Sequence, residues 1–230
     1  MKFKLKTTLI TSAGILTLSI GTGYGLLWAN LPQLEGEILL QGPEHATSLE
    51  RDALGTAVIH ATNRNDAAFT LGYAHAQDRF FQMDLLRRNA AGELAELFGE
   101  GALELDKKHR FHQFRKRAQH ALTQLSSQHL AMLEQYTKGV NAALKAQRIK
   151  SFEYLLSGTA PSPWKAEDCF LVIYSMYLDL QANTVQREKV LERLRQSFGP
   201  QMTAFVTQTN PLQAAIDDSF LPLTHIDIPP

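Results

Sequence analysis

The sequence predicts an α+β protein that is mainly α-helical, with a small β segment near the N-terminus followed by a helical region. Three observations predict it. Apolar residues recur at spacings of three and four over residues 65–99 and 126–147, and residues 164–181 form a third strongly apolar, helix-length stretch. Short segments with β-branched residues, separated by turn chemistry, lie only ahead of the first of these. The composition over 230 residues is globular, 44% hydrophobic and 20% charged. Lys plus Arg balance Asp plus Glu at 23 each, so net charge argues for no nucleic-acid partner. A single cysteine, Cys169, excludes a disulfide within the chain. Its apolar neighbours, Phe170 to Ile173, favour a small buried hydrophobe over a nucleophile.

Residues 1–30 read as an export leader. Lys2, Lys4 and Lys6 precede an uncharged run from Thr7 to Leu34 with its hydrophobic centre over Leu9 to Trp28. Small residues at Gly21, Gly23 and Gly25 would suit cleavage of a signal peptide. The run is also near the ~20 residues that cross a bilayer, so an uncleaved anchor over residues 7–29 is the competing reading. Tyr24 and Trp28 at its far end suit the interface and tilt the balance toward the anchor. Either way the lysines stay cytoplasmic and the remainder is exported, to the periplasm.

Three segments follow: Glu37–Leu40, Ala46–Arg51 and Thr56–His60, the second being the weakest strand candidate. Gly42-Pro43 and Asp52 to Gly55 supply the turns of a small antiparallel sheet or hairpin. His60 is expected to pack or hydrogen-bond locally. Asn63 or Asn65 can cap the next helix, with Asp66 in its first turn.

That helix is the most informative stretch. Gly72 to Gly99 reads GYAHAQDRFFQMDLLRRNAAGELAELFG and has the composition of one long helix. Phe69, Tyr73, Ala76, Phe80 and Met83 form its apolar stripe. Gln77, Asp78, Arg79, Asp84, Arg87 and Arg88 lie inside this apolar context, and buried charges need partners.

Gly99 to Gly101 breaks the pattern. Lys107 to Arg117 holds six Lys or Arg with His109 and His112. A solvated helix face, neutralised by Glu93, Glu96, Glu100, Glu104 and Asp106, is favoured over a metal or phosphate site. Ser126 to Gln147 reads as an amphipathic helix with Leu130, Leu133, Tyr136, Val140, Ala143 and Leu144 on its stripe. Gly158 to Pro163 is a turn-rich connection. Trp164 to Gln181 reads as a buried helix, because Lys165, Glu167, Asp168 and Asp179 argue against a second membrane span. Arg187 to Phe198 is a charged helix stopped by Gly199-Pro200, and the chain from Gln208 is polar with no clear element. There is no phosphate loop, G-x-S-x-G elbow, HExxH or Cys-His signature, so the residues alone reach only an exported, mainly helical globular protein.

A resemblance goes further. The strings AHAQDRFFQMDLLRR and GELAELFG resemble the N-terminal signature of the penicillin acylase family of N-terminal-nucleophile hydrolases, which includes acyl-homoserine-lactone acylases. Leu31-Pro-x-Leu-x-Gly36, Tyr136 with Gly139-Val140-Asn141, Phe152-Glu153-Tyr154, and Pro161-x-Pro163-Trp164-x-x-Glu167-Asp168 are similar to further motifs of that family, in the same order. The segment Arg51-Asp52-x-x-Gly55 with Ile59-His60-Ala61 departs from it. The family has Gly-Val-Pro-His-Ile there, and this chain has neither that proline nor that spacing.

The resemblance implies a hydrolase of N-acyl amides, made as a self-cutting precursor that leaves an α chain and a β chain. The β chain begins with the catalytic Ser, whose free amino group is the base. Residues 31–230 would then be the α-chain region, completing an αββα fold only with a β chain as partner. The chain alone is expected to be inactive. The resemblance also implies that Met176, Tyr177 and Leu180 contribute to the acyl pocket, core packing being the competing reading. Glu188 would contribute one calcium ligand, an ordinary exposed helix Glu being the competing reading. No organic cofactor is implied. The alternative is a non-catalytic, membrane-anchored helical module that binds a partner chain. Choice among penicillins, lactone signals and other N-acyl compounds is not legible.

Overall fold

The computed structural model describes residues 2–181 and 184–207, with side chains from residue 14 onward. The polar tail from Gln208 and the side chains of the leader lysines lie outside the described residues. The chain divides into two compact units, residues 1–175 and residues 176–230.

In the first unit, helix α1 (Lys2–Ala29) exposes Ile15, Leu16, Leu18, Ile20, Tyr24 and Trp28. Among the described residues no helix is long and apolar enough to cross a membrane; the spanning anchor expected over residues 7–29 falls partly outside them.

The predicted sheet is a two-stranded antiparallel hairpin, β1 (Ser48–Arg51) and β2 (Ala57–His60), with Leu49 opposite Ile59 and Arg51 opposite Ala57. Asp52 shapes the turn by accepting hydrogen bonds from Leu54 N and Thr56 N at 2.9 and 2.7 Å. The expected first strand, Glu37–Leu40, does not form. Ile38 and Leu39 are exposed, and only Leu40 of the segment packs against the core, without a neighbouring strand. The weakest candidate is a strand instead, because it pairs with β2 while Leu49 packs against the core.

Helix α2 (Arg64–Ala91) is the centre of the unit. Asn63 caps it: its side chain accepts from Asp66 N at 2.8 Å. The stripe Phe69, Tyr73, Ala76, Phe80 and Met83 is buried throughout. The helix stops earlier than its composition predicts. Gly92 turns left-handed at φ 69°, its N–H reaches Asn89 O, and Glu93 N reaches Arg88 O at 2.9 Å. A short helix α3 (Ala95–Phe98) follows, with the Asp106 carboxylate accepting from Leu94 N and Ala95 N. The predicted single helix to Gly99 is therefore two helices, because a residue further along the chain caps the second.

A 3₁₀ turn leads to α4 (Leu103–Arg110), α5 (Phe114–Leu122) and α6 (Ser127–Ala146). Helix α6 packs along α2 at a glycine–glycine crossing. A Cβ on Gly72 would lie 2.2 Å from Tyr136 O, and one on Gly139 would lie 1.9 Å from Phe69 O. Only glycine permits that backbone approach. Helix α7 (Phe152–Ser157) and the start of α8 (Ala166–Gln181) close the core with Tyr154, Trp164 and Leu171.

The second unit holds the end of α8 and helix α9 (Thr184–Val206). The stop expected at Gly199-Pro200 is present as a break: Gly199 sits at φ 81°, and Pro200 opens a further helical stretch.

Candidate functional site

The charges flagged inside α2 converge on one buried ion network. Asp84 is fully buried, and Arg87 and Arg88 follow it at i+3 and i+4 on the same helix face. Arg87 Nε donates to Asp84 Oδ1 at 2.7 Å, and Arg88 Nε donates to the same oxygen at 3.0 Å. Tyr154 OH donates to Asp84 Oδ2 at 2.7 Å. Arg87 also donates to Asp168 Oδ2 at 2.5 Å, and to the carbonyls of Pro163 and Ser162 at 3.0 Å each. Its guanidinium lies 5.0 Å from the Trp164 ring centroid. Arg88 pairs with Glu96. Arg115 binds Glu93 through two nitrogens and reaches Asp168 Oδ1 at 3.2 Å.

This arrangement explains the family-like strings residue by residue. Asn141 of Gly139-Val140-Asn141 forms a two-way bridge to the Trp164 backbone, donating to its carbonyl at 2.9 Å and accepting from its N–H at 2.8 Å. Asp168 caps the start of α8 by accepting from Lys165 N at 2.8 Å. The motifs are therefore the anchors that hold α2, α6, α7 and the first turns of α8 together. Hydrogen bonding to Asp84 and burial hold the Tyr154 phenol above its ordinary range, burial being the larger cause. These groups are paired to one another, so their chemistry is structural.

Gln77 donates to Gln33 O at 3.0 Å, and Asp78 pairs with Arg51 at 2.6 Å, so these groups find their partners within the chain. Arg79 is the exception: it is exposed at a break in α2, with φ −152° and ψ 32°. The apolar face of α2 is covered too.

Exposed apolar surface lies on α8 instead. Leu171 and Ser175 are buried, whereas Ile173, Met176, Tyr177 and Leu180 are 51–71% exposed. These four residues recur at three- and four-residue spacing, which aligns them on one stripe. The expectation of a buried helix over 164–181 is overturned for this face: the described residues cover only the opposite one. The candidate pocket residues Met176, Tyr177 and Leu180 thus lie together. Glu188 is exposed on α9, and the described residues include no group of three His, Cys, Asp or Glu arranged to hold a metal ion.

The other flagged groups take structural places. His109 bonds Asn89 O at 2.7 Å, while His112 stacks on Phe114 with centroids 5.0 Å apart. They therefore do not converge as a metal pair. His60 is exposed on β2. His75, missed in the sequence, bonds Tyr136 OH at 3.0 Å, and burial, then Arg79, lowers its pKa. Cys169 accepts from Trp164 Nε1 at 3.3 Å, and burial pushes its thiol up to about 11, which suits packing rather than nucleophilic attack.

Comparison with known proteins places this geometry. The family model described as penicillin amidase matches residues 46–216. An acyl-homoserine lactone acylase QuiP of Pseudomonas aeruginosa is 37% identical over 183 residues, covering 79% of this chain and 22% of that protein. A penicillin acylase 2 proenzyme of a Pseudomonas species is 37% identical over 150 residues, covering 65% and 19%. The chain thus spans about a fifth to a quarter of the length of the curated relatives it matches. Among solved structures, a thermostable penicillin G acylase from Alcaligenes faecalis aligns with a TM-score of 0.60 at 23% identity. That alignment covers 80% of this chain and 98% of the other.

Proposed function

The chain belongs to the penicillin amidase family, and on that premise we propose that it is the N-terminal, α-chain part of an exported N-acyl amide hydrolase. In this reading a β chain supplies the nucleophile, a Ser at its N-terminus whose free amine, of pKa near ~8, takes the hydroxyl proton. The acyl group passes to that oxygen, and water releases it. The chain described here supplies the scaffold around α2 and one wall of the acyl pocket. It does not hydrolyse amides by itself.

The observation that carries this reading is the stripe of Ile173, Met176, Tyr177 and Leu180 on α8, apolar and more than half exposed. Contiguous apolar surface of this kind marks an interface or ligand wall. Met176, Tyr177 and Leu180 are the proposed acyl-contacting residues. Glu188 is proposed as one calcium ligand. Calcium takes about six to eight oxygens, so one exposed carboxylate fits a site shared with a partner chain and not a site of its own. Residues 1–30 are proposed as the export leader. The alternative, a non-catalytic anchored module, is not favoured, since the matched relatives are named as acylases.

Purification from the native source tests the reading. A larger companion chain with an N-terminal Ser is expected. Hydrolysis of N-acyl-homoserine lactones or penicillins should appear with both chains and vanish from the separated chain. Full activity in residues 1–230 alone, or no companion chain, would overturn it.

A further inference from the structure

Residues 107–133 hold six Lys and Arg and no Asp or Glu, in a chain that is electrically balanced only as a whole. The fold puts these cations to different uses. Arg115 is taken up internally by Glu93 and Asp168. The other five, Lys107, Lys108, Arg110, Lys116 and Arg117, are exposed. They occupy the last turn of α4 and the first turn of α5, on either side of the connection Phe111–Gln113. Two are held at that connection by backbone carbonyls: Arg117 Nε donates to His112 O at 2.9 Å, and Arg110 Nε donates to Gly92 O at 2.7 Å. Lys107 pairs with Glu104 in a solvent-exposed contact that salt screens. Lys108 and Lys116 have no ion-pair partner among the described residues.

Between them stands Phe111, 87% exposed. It does not dangle. Its ring lies 6.0 Å from that of His112, which stacks on buried Phe114, which in turn stacks on Tyr174 at 4.7 Å. An aromatic ring presented to water on a rigid stack, flanked by unpaired cations, combines the two attractions of a membrane surface: a headgroup layer that accepts aromatic rings, and phosphate charge. A nucleic acid would offer the charge, but the lone ring makes no stacking platform for successive bases. An acidic peptide would offer the charge without an apolar layer.

We propose that the α4–α5 connection docks on an anionic phospholipid surface, Phe111 entering the headgroup layer while Lys107, Lys108, Arg110, Lys116 and Arg117 face lipid phosphates. This goes beyond the acylase reading and does not depend on it.

The test uses the full chain and two kinds of vesicle, phosphatidylcholine alone and phosphatidylcholine with about 30% phosphatidylglycerol. Zwitterionic vesicles report the apolar contribution of the N-terminal helix, and Lys2→Gln, Lys4→Gln and Lys6→Gln are carried in every sample so that the leader adds no anionic preference of its own. At low salt the wild-type chain should partition about 3,000-fold more strongly into the anionic vesicles, since each of the five cations near such a surface is worth about fivefold. The triple variant Lys108→Glu, Lys116→Glu, Arg117→Glu should lose that preference while keeping its zwitterionic partition. Phe111→Ser should weaken anionic binding by about tenfold. About 0.5 M salt should abolish the preference of the wild type. Circular dichroism of each variant checks that the fold persists. Equal wild-type partition into both vesicles, or an anionic preference that survives charge reversal, overturns the proposal. So does binding to a DNA duplex or an acidic polypeptide without any lipid preference.

Discussion

Replacing Gly139 by alanine tests the helix crossing at the centre of the fold. In an ordinary exposed helix interior this change stabilises by about 1 kcal/mol, because glycine is the poorer helix former. Here the added methyl would lie 1.9 Å from Phe69 O, 2.8 Å from Phe69 C and 3.0 Å from Tyr73 N. All three are backbone atoms of α2, and side-chain rotation cannot relieve the clash. The helices must separate by more than about 1 Å to reach ordinary contact, which loosens Val140 and Ala143 against Tyr73 and Ala76. Overpacking of this kind costs about 1–3 kcal/mol, and a backbone collision belongs at the upper end, so the net loss should be about 2 kcal/mol. Urea unfolding followed by far-UV circular dichroism should show a midpoint lower by about 1 M. Gly101→Ala is the control, since nothing lies within 4 Å of its Cβ; it should be neutral. Gly72→Ala, whose Cβ meets Tyr136 O at 2.2 Å, should cost a similar amount. The double variant should cost less than the two together, because one separation relieves both. Stabilisation by Gly139→Ala, or additive losses, would refute the reasoning.

Tyr154→Phe removes the donor to Asp84 Oδ2 and leaves a buried carboxylate oxygen short of a partner; a loss of about 1–3 kcal/mol is expected in the same urea assay. Burial alone would raise the pKa of Asp66, but hydrogen bonds from Glu44 N, His45 and Asn63 outweigh it and hold the native value below the ordinary one. Its contribution is therefore present above the unfolded value near ~4 and is lost as pH falls through the native value. Asp66→Asn should flatten that part of the acid-unfolding curve. Cys169, with its thiol near 11, should react with iodoacetamide at neutral pH over 100-fold more slowly than an unperturbed thiol. Denaturant should restore the rate, as followed by mass spectrometry.

Much of this was legible in the residues. The stripe from Phe69 to Met83, the Asn63 cap, the helix from Ser127 and the break at Gly199 depend on neighbours within one or two turns. The strings that mark the family were legible as strings. Their roles were not. Asn141 and Trp164 look unrelated until α6 and the approach to α8 meet. The stop at Gly92 was hidden, because the helical composition continues past it and the capping carboxylate, Asp106, comes later in the chain. Glu37–Leu40 had the composition of a strand and no partner.

The sequence by itself determined where helices run, which face of α2 is apolar and which family the chain belongs to, since periodicity, caps and motif order are local. Tertiary structure alone decided which charges meet. Asp84 with Tyr154, and Arg87 with Asp168, lie 70 and 81 residues apart. It also decided that α2 buries its stripe while Ile173, Met176, Tyr177 and Leu180 on α8 stay exposed. Both stripes are apolar, and among the described residues that of α2 is covered by α6 of the same unit. The closeness of α2 and α6 rests on two glycines, Gly72 and Gly139, brought together by the fold.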